Sequence, residues 1–185
     1  MKKVLIFVLC AALCLAFVSC GTPAVEEAVF TDAPEGSVEA AANDIAKLLE
    51  SLKAGDAETI ISLSGSDAAR EDDLLLEMLV ALFGQLEVKV GTPVVTDENN
   101  ATVPVEIKAV SITSVFTEYM VEAAKHIAEE NWDEDGKEFI KICNSAKVSK
   151  DTVTVDVALE RGADGTWGRG ANNEAFINAL FGGLL

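Results

Sequence analysis

Leu86-Glu87-Val88-Lys89-Val90, and after a short interval Val103-Pro104-Val105-Glu106-Ile107-Lys108, are the stretches that decide the fold. In both, apolar residues recur at every second position with polar ones between them. That period puts all the apolar side chains on one face of an extended strand. Between the two runs, Val94-Val95-Thr96 follows Pro93 and leads into the turn-forming string Asp97-Glu98-Asn99-Asn100, so the pair reads as an antiparallel hairpin. A proline removes one ladder donor, and Pro104 therefore points to an edge position or a bulge.

Upstream the period is helical. Ser37 is a candidate N-cap, and Val38, Ala41, Ile45, Leu48, Leu49 and Leu52 fall on one helical face until Gly55 supplies a stop. Asp56 can cap a short second helix through Ile60, Ile61 and Leu63, broken at Ser64-Gly65. Ser66 or Asp67 opens a third helix to about Phe83. Its first turns carry Arg70, Glu71, Asp72 and Asp73, and the acids among them suit the positive helix end.

Downstream, Thr113 or Ser114 begins a helix with Phe116, Tyr119 or Met120, Ala123 and Ile127 on one face, and Asp135 to Ser145 adds another. This helical insert separates two strand pairs. Val148 is placed in a short strand before a turn at Lys150-Asp151. Val153, Val155, Val157 and Leu159 then alternate with Thr154, Asp156 and Ala158, and the turn Gly162-Ala163-Asp164-Gly165 leads to a last short strand holding Trp167. Asn172 or Asn173 caps a terminal helix bearing Phe176, Leu180 and Phe181. The layout is α+β, with amino-terminal helices packed on one face of a curved antiparallel sheet.

The first residues carry a different signal. Met1-Lys2-Lys3 is a cationic start, and Val4 to Val18 is apolar but shorter than the roughly 20 residues a comfortable span needs. It reads as an export signal. Its end, Ala16-Phe17-Val18-Ser19-Cys20-Gly21, resembles a lipobox, the site cut before a cysteine that receives a diacylglyceryl group. Phe17 stands where leucine is usual. The alternatives are an ordinary secretory signal and an uncleaved anchor helix. The expected organisation is a lipoprotein signal peptide at 1–19, a lipidated tether at 20–36, rich in Thr, Pro, Glu and Ala, and a single domain at 37–185. Lipidation at Cys20, with palmitate-type acyl chains, would hold the domain outside the cytoplasm on the cell membrane.

Composition narrows the partners. The chain has 185 residues, half of them hydrophobic, enough for one core, and a formal net charge of −17 that grows more negative once Lys2 and Lys3 leave with the signal. Such a surface repels phosphate backbones, so nucleic acid is not an expected partner. Of the four cysteines, Cys10 and Cys14 lie in the apolar leader. Cys143, within Phe139-Ile140-Lys141-Ile142-Cys143, reads as a small buried hydrophobe rather than a nucleophile.

Two phrases carry a family resemblance. Ile45-Ala46-Lys47-Leu48-Leu49-Glu50-Ser51-Leu52-Lys53-Ala54-Gly55-Asp56 looks like a first helix ending in Gly-Asp, and Asp164-Gly165-Thr166-Trp167 looks like an Asp-Gly-x-Trp turn and strand. Together they resemble small Firmicute-type lipoproteins with a nuclear transport factor 2-like (cystatin-like) domain, over roughly 37–183. Gly168-Arg169 stands where that family has a polar-then-apolar pair. The resemblance implies a cone between sheet and helices that can hold a pocket, and in some members an Asp-His acid-base pair.

Candidate chemistry is sparse. The one histidine, His126, lies four residues after Glu122, the spacing of a helix-surface contact. Asn131-Trp132-Asp133-Glu134-Asp135-Gly136 has the acids and glycine of a calcium loop, but the twelfth position, read from either start, is Asn144 or Ile142 rather than the required Glu. It reads as a helix-to-helix turn. Gly162, Gly165, Gly168 and Gly170 have the wrong spacing for a phosphate loop. No metal or cofactor is expected. Phe116, Tyr119, Trp132 and Trp167 are candidates to line a pocket, with core packing as their ordinary role. Glu106 and Asp156 are expected to point outward. These features favour a non-catalytic domain that binds a small apolar ligand or an envelope protein. A pocket enzyme of the isomerase or dehydratase kind and a structural spacer are the alternatives.

Overall fold

The computed structural model describes residues 25–64, 70, 72–126, 136–145 and 148–182. Helix α1, Val38–Lys53, starts where Ser37 Oγ accepts the Ala40 N–H at 3.1 Å. It ends at Gly55, whose φ of +76° is costly for any residue with a Cβ. Asp56 Oδ1 accepts the Thr59 N–H at 2.8 Å and opens α2, Ala57–Ser64. Helix α3 is Asp73–Phe83, and the expected opening at Ser66 or Asp67 lies outside the described residues. Its cap is Asp72, which accepts the Leu75 N–H, and one of the acids expected inside the first turns is therefore the residue that starts the helix.

The strands are β1 (Glu87–Val90), β2 (Val94–Val95), β3 (Asn100–Val110), β4 (Lys150–Arg161) and β5 (Trp167–Arg169). They form one curled antiparallel sheet in the order β1-β3-β4-β5, with β2 also on β3. The two expected hairpins are thus joined, because β3 and β4 pair along their whole length from Asn100↔Glu160 to Val110↔Lys150. Lys150 and Asp151 are therefore strand residues and not a turn, and Val148 lies just before β4 as a buried side chain.

Pro104 is not at an edge. It sits in the central strand β3, opposite Asp156 on one side. On the other side it faces the gap between β1 and β2, where its carbonyl accepts the Gly91 N–H at 2.8 Å. Val90 pairs with Val105 and Val94 with Thr102, so the outer strand takes one more step than β3 across the gap. That bulge lies where the missing proline N–H would otherwise break the ladder. Gly91 is required there, since a Cβ would lie 2.9 Å from both Pro104 Cγ and Val25 Cγ1.

Val25 belongs to the stretch expected as tether, and the structure seats its second half on the domain. Val25 is buried, the Ala28 N–H donates to Val90 O at 2.9 Å, and Asn43 Nδ2 donates to Phe30 O at 2.7 Å. Two isolated apolar anchors leave no periodic trace in the sequence.

One sheet face is covered by α1 and by the terminal helix α6, Glu174–Leu180. Ala101, Val103, Val105, Ile107 and Ala109 of β3 meet Val155, Val157 and Leu159 of β4 on this face, as the alternation requires. Leu49, Leu52, Ile60, Phe83, Phe176 and Leu180 fill the space above them. Asn173 precedes α6 but does not cap it. Its buried amide instead extends the sheet: Oδ1 accepts the Ala158 N–H at 2.8 Å, and Nδ2 donates to Ala158 O at 3.2 Å and Gly170 O at 2.7 Å.

The helical insert builds a second core. Helix α4 is Ile112–Lys125, capped by Ser111 rather than starting at Thr113 or Ser114, and α5 is Lys137–Cys143. They pack beside α3 around Leu82, Val110, Val115, Phe139, Ile142 and Cys143. The face that packs inward also differs from the expected one. Val115 is buried and Tyr119 half-buried, whereas Phe116 is 48% and Met120 66% exposed. Ile127 and the expected helix start at Asp135 lie outside the described residues.

Cys143 is the small apolar residue its surroundings suggest, and burial pushes its thiol up to about 11. The thiolate is the reactive form, so native protein at pH about 8 should alkylate with iodoacetamide at least tenfold more slowly than urea-unfolded protein, on the order set by the thiolate fraction. Equal rates would contradict this burial.

The outer sheet face is polar, with Lys89 on Glu106 at 2.6 Å and Lys108 and Lys150 both on Glu87. Lys108 and then Lys150 hold the Glu87 carboxyl below its ordinary value, and Lys89 does the same for Glu106. Folding therefore favours the charged forms. The stability they lend is present above the ordinary glutamate range and is lost as pH falls through that range and the lowered folded values. Acidification also relieves repulsion in so acidic a chain, so the informative test is comparative. Between about pH 5 and about pH 3 the thermal midpoint of Glu87→Gln should fall less steeply than that of the parent.

Candidate functional site

Three adjoining depressions on the helix-covered side share one residue, Arg169, on β5. The largest, about 830 Å³, runs from Arg169 along Gly170, Ala171, Glu174 and Ile177 at the start of α6. A second, of about 290 Å³, is walled by Leu48 of α1 and Glu58, Thr59 and Leu63 of α2. A third, of about 260 Å³, lies over Ala41, Asp44 and Ile45 of α1 beside Gly168. Small residues at Ala41, Gly168, Gly170, Ala171 and Ala175 keep the groove open between larger walls.

The backbone of β5 borders this groove. Gly162 N–H donates to Thr166 O and Gly170 N–H to Ala158 O, so the even-numbered residues of this segment face β4. Trp167 and Arg169 face the other way. The Trp167 N–H is taken by Gly36 O at 3.0 Å. The Arg169 N–H and C=O have no backbone partner among the described residues, and its exposed guanidinium has no ion pair there. The acids on the α1 and α2 walls are engaged elsewhere: Asp44 by Lys47 at 3.0 Å and Glu58 by Arg70 at 3.2 Å.

A separate surface lies on α4. Thr113, Phe116, Thr117, Met120, Val121 and Ala124 line an open, uncharged groove of about 640 Å³ along the outward side of that helix.

The residues expected to line a pocket are not gathered at either place. Phe116 is on the α4 groove with its ring edge-on to Phe139 at 6.0 Å, and Tyr119 meets the same ring at 5.9 Å from the inner side. Trp167 is half-buried against the larger core. Cys20 and Trp132 lie outside the described residues, as do all but Gly136 of the calcium-like loop. His126 Nε2 is 3.8 Å from Glu122 Oε1, the helical contact its spacing suggested. Asp164 Oδ1 accepts the Thr166 N–H and hydroxyl in the turn that holds Gly162 and Gly165, while Gly168 lies in β5. Among the described residues no group of three or more His, Cys, Asp or Glu is placed to hold a metal ion, and no helix is long and apolar enough to cross a membrane.

Arg169 was missed as a site residue. The signal lay in Gly168-Arg169 itself, a small residue and a cation where the resembling family has a polar-then-apolar pair.

No family model matches the chain, and no curated protein matches it. Among solved structures it is similar to a candidate lipoprotein, ycdA, from Bacillus subtilis subsp. subtilis strain 168, with a TM-score of 0.43 and 14% identity over 78% of this chain and 48% of that one. The chain thus spans about half the length of that protein. So loose a superposition does not define a common fold. The class that stands on the coordinates themselves is an α+β domain with helices on one face of an antiparallel sheet and an open groove at the sheet's β5 edge.

Proposed function

We propose that this is an extracytoplasmic lipoprotein, held to the cell membrane by lipid on Cys20, whose cystatin-like or nuclear transport factor 2-like domain binds a ligand or envelope partner without transforming it. The observation that carries the binding reading is the position of the open space. The interior between helices and sheet is occupied by Leu49, Leu52, Phe83 and Phe176, while the open depressions lie at the surface, around Arg169 and along α4.

The anchor reading rests on the sequence from Met1 to Gly21 and on the acidity of the domain, which needs a covalent tie to stay on an anionic bilayer. Expressed in a bacterial host that acylates lipoproteins, the parent should begin at Cys20 and carry diacylglyceryl mass there, and Cys20→Ser should lack that mass. A parent without it would refute the anchor. Native mass spectrometry of the purified protein tests binding: a retained ligand or partner supports it, and turnover of that ligand to a product would replace binding with catalysis.

A further inference from the structure

We propose that the outer face of the sheet lies against the phospholipid headgroups of the bilayer, held there by the four residues between the lipid on Cys20 and Val25. This rests on the reading of Cys20 as the acylated residue and adds which way the domain faces.

The place where the chain joins the domain sets the orientation. Val25 is buried over Gly91 beside Pro104, and its backbone N–H donates to the Glu106 carboxylate. Glu106 alternates in β3 with the buried Val105 and Ile107, so its side chain is on the outer face and the chain enters there. Only Gly21 to Ala24 separate Val25 from Cys20. Five extended steps along the chain reach at most about 17 Å. A domain of this size is about 40 Å across, and α1 lies on the far side of the sheet, so the helix-covered side is beyond the reach of the anchor.

The charges of the outer face suit that position. An acidic domain is least repelled by a lipid surface where its own charge is balanced. Around the entry the outward charges are Lys89, Lys108 and Lys150 against Glu87, Glu106 and Asp156. On the helical side, α1 and the start of α2 carry Glu39, Asp44, Glu50, Asp56 and Glu58 against Lys47 and Lys53. The end of the face that the chain enters has no charge of its own: Val94, 56% exposed, shares it with Thr102, and Pro104 follows. Zwitterionic headgroups present both signs and match a mixed surface, including Glu26 and Glu27, the exposed acids beside the entry.

The test uses the mature protein, with acyl mass on Cys20 confirmed, in phosphatidylcholine vesicles that contain a lipid with a nitroxide on its headgroup. Cys143 is buried, so one introduced cysteine takes a bimane label: Thr152→Cys, opposite Lys108 on the outer face, or Lys47→Cys on α1. Both positions are exposed, so these variants keep the fold, and circular dichroism checks that. Nitroxide quenching needs near contact. The Thr152 label should therefore be quenched at least about threefold more than the Lys47 label, which stands about 20 Å farther off across sheet and helix. A flexible Gly-Ser insert of about ten residues after Pro23 should leave the protein anchored and remove most of that difference. Equal quenching at the two positions, stronger quenching at Lys47, or no change on insertion would each overturn the inference, while the acyl mass leaves the anchor standing. A Thr152 label shielded from the nitroxide and from aqueous iodide alike would overturn it too, because a second copy or another protein would then cover the face. Acyl mass missing from Cys20 would remove the anchor itself and the inference with it.

Discussion

Phe83→Ala is expected to cost about 3–5 kcal/mol and to shift the urea midpoint accordingly, the largest effect of any single truncation considered. The ring is fully buried at the end of α3, where successive residues serve different cores: Leu82 faces the insert and Phe83 faces the sheet. Phe83 also meets Phe181 edge to face at 5.2 Å, and Phe181 touches both cores. Removing the ring therefore opens a cavity in the main core and withdraws the aromatic contact that ties it to the second. Against a typical domain stability of about 5–15 kcal/mol, that is enough to leave a sizeable unfolded fraction at 37 °C. A loss under about 1 kcal/mol by chemical denaturation would show that the two cores do not depend on this ring.

Asn173→Ala should cost about 2–3 kcal/mol although it removes a polar side chain and no large apolar surface. The amide is 8% exposed and completes three backbone groups: the N–H and C=O of Ala158 and the C=O of Gly170. Truncation leaves the Ala158 N–H and the Gly170 C=O without that partner, while Ala158 O keeps the Gly170 N–H, and that desolvation penalty exceeds the net worth of the hydrogen bonds themselves. Asn173→Asp should be no better, because it keeps an acceptor for the Ala158 N–H but turns a carboxylate toward two carbonyls. Asn173→Ser would then be a cap without a ladder. A variant with serine matching the parent in urea would mean that the residue acts as a helix cap after all.

These two residues show how far the sequence was readable. Phe83 was visible as the end of an apolar helix, and its burial followed from that. Asn173 was visible only as a cap, because asparagine before a helix most often serves there. Its partner Ala158 is in a strand that the helix packs against, and nothing local marks that pairing. Pro104 behaves in the same way. A proline in a strand suggests an edge or a bulge, and only the pairing shows that it is the bulge, carried by the neighbouring strand. The candidate site was less legible than the fold. Of the aromatic residues singled out for a pocket, Phe116, Tyr119 and Trp167 are distributed between two cores and a helix surface, and the groove forms around an arginine whose significance depends on three depressions meeting at one point.

Local chemistry determined the kind and order of the elements: apolar period two for the strands, helical period for α1 to α3, and side-chain caps at Ser37 and Asp56. Each of these depends on residues within a turn or two of one another, so the chain carries them without reference to the rest. Tertiary structure alone decided that β3 and β4 join two hairpins into one sheet, that α4 buries Val115 and leaves Phe116 and Met120 outside, that Val25 and Phe30 seat the segment before α1, and that Arg169 faces an open edge. Each of those outcomes is set by which distant segment fills the space alongside, and that is a property of the assembled packing rather than of any stretch of sequence.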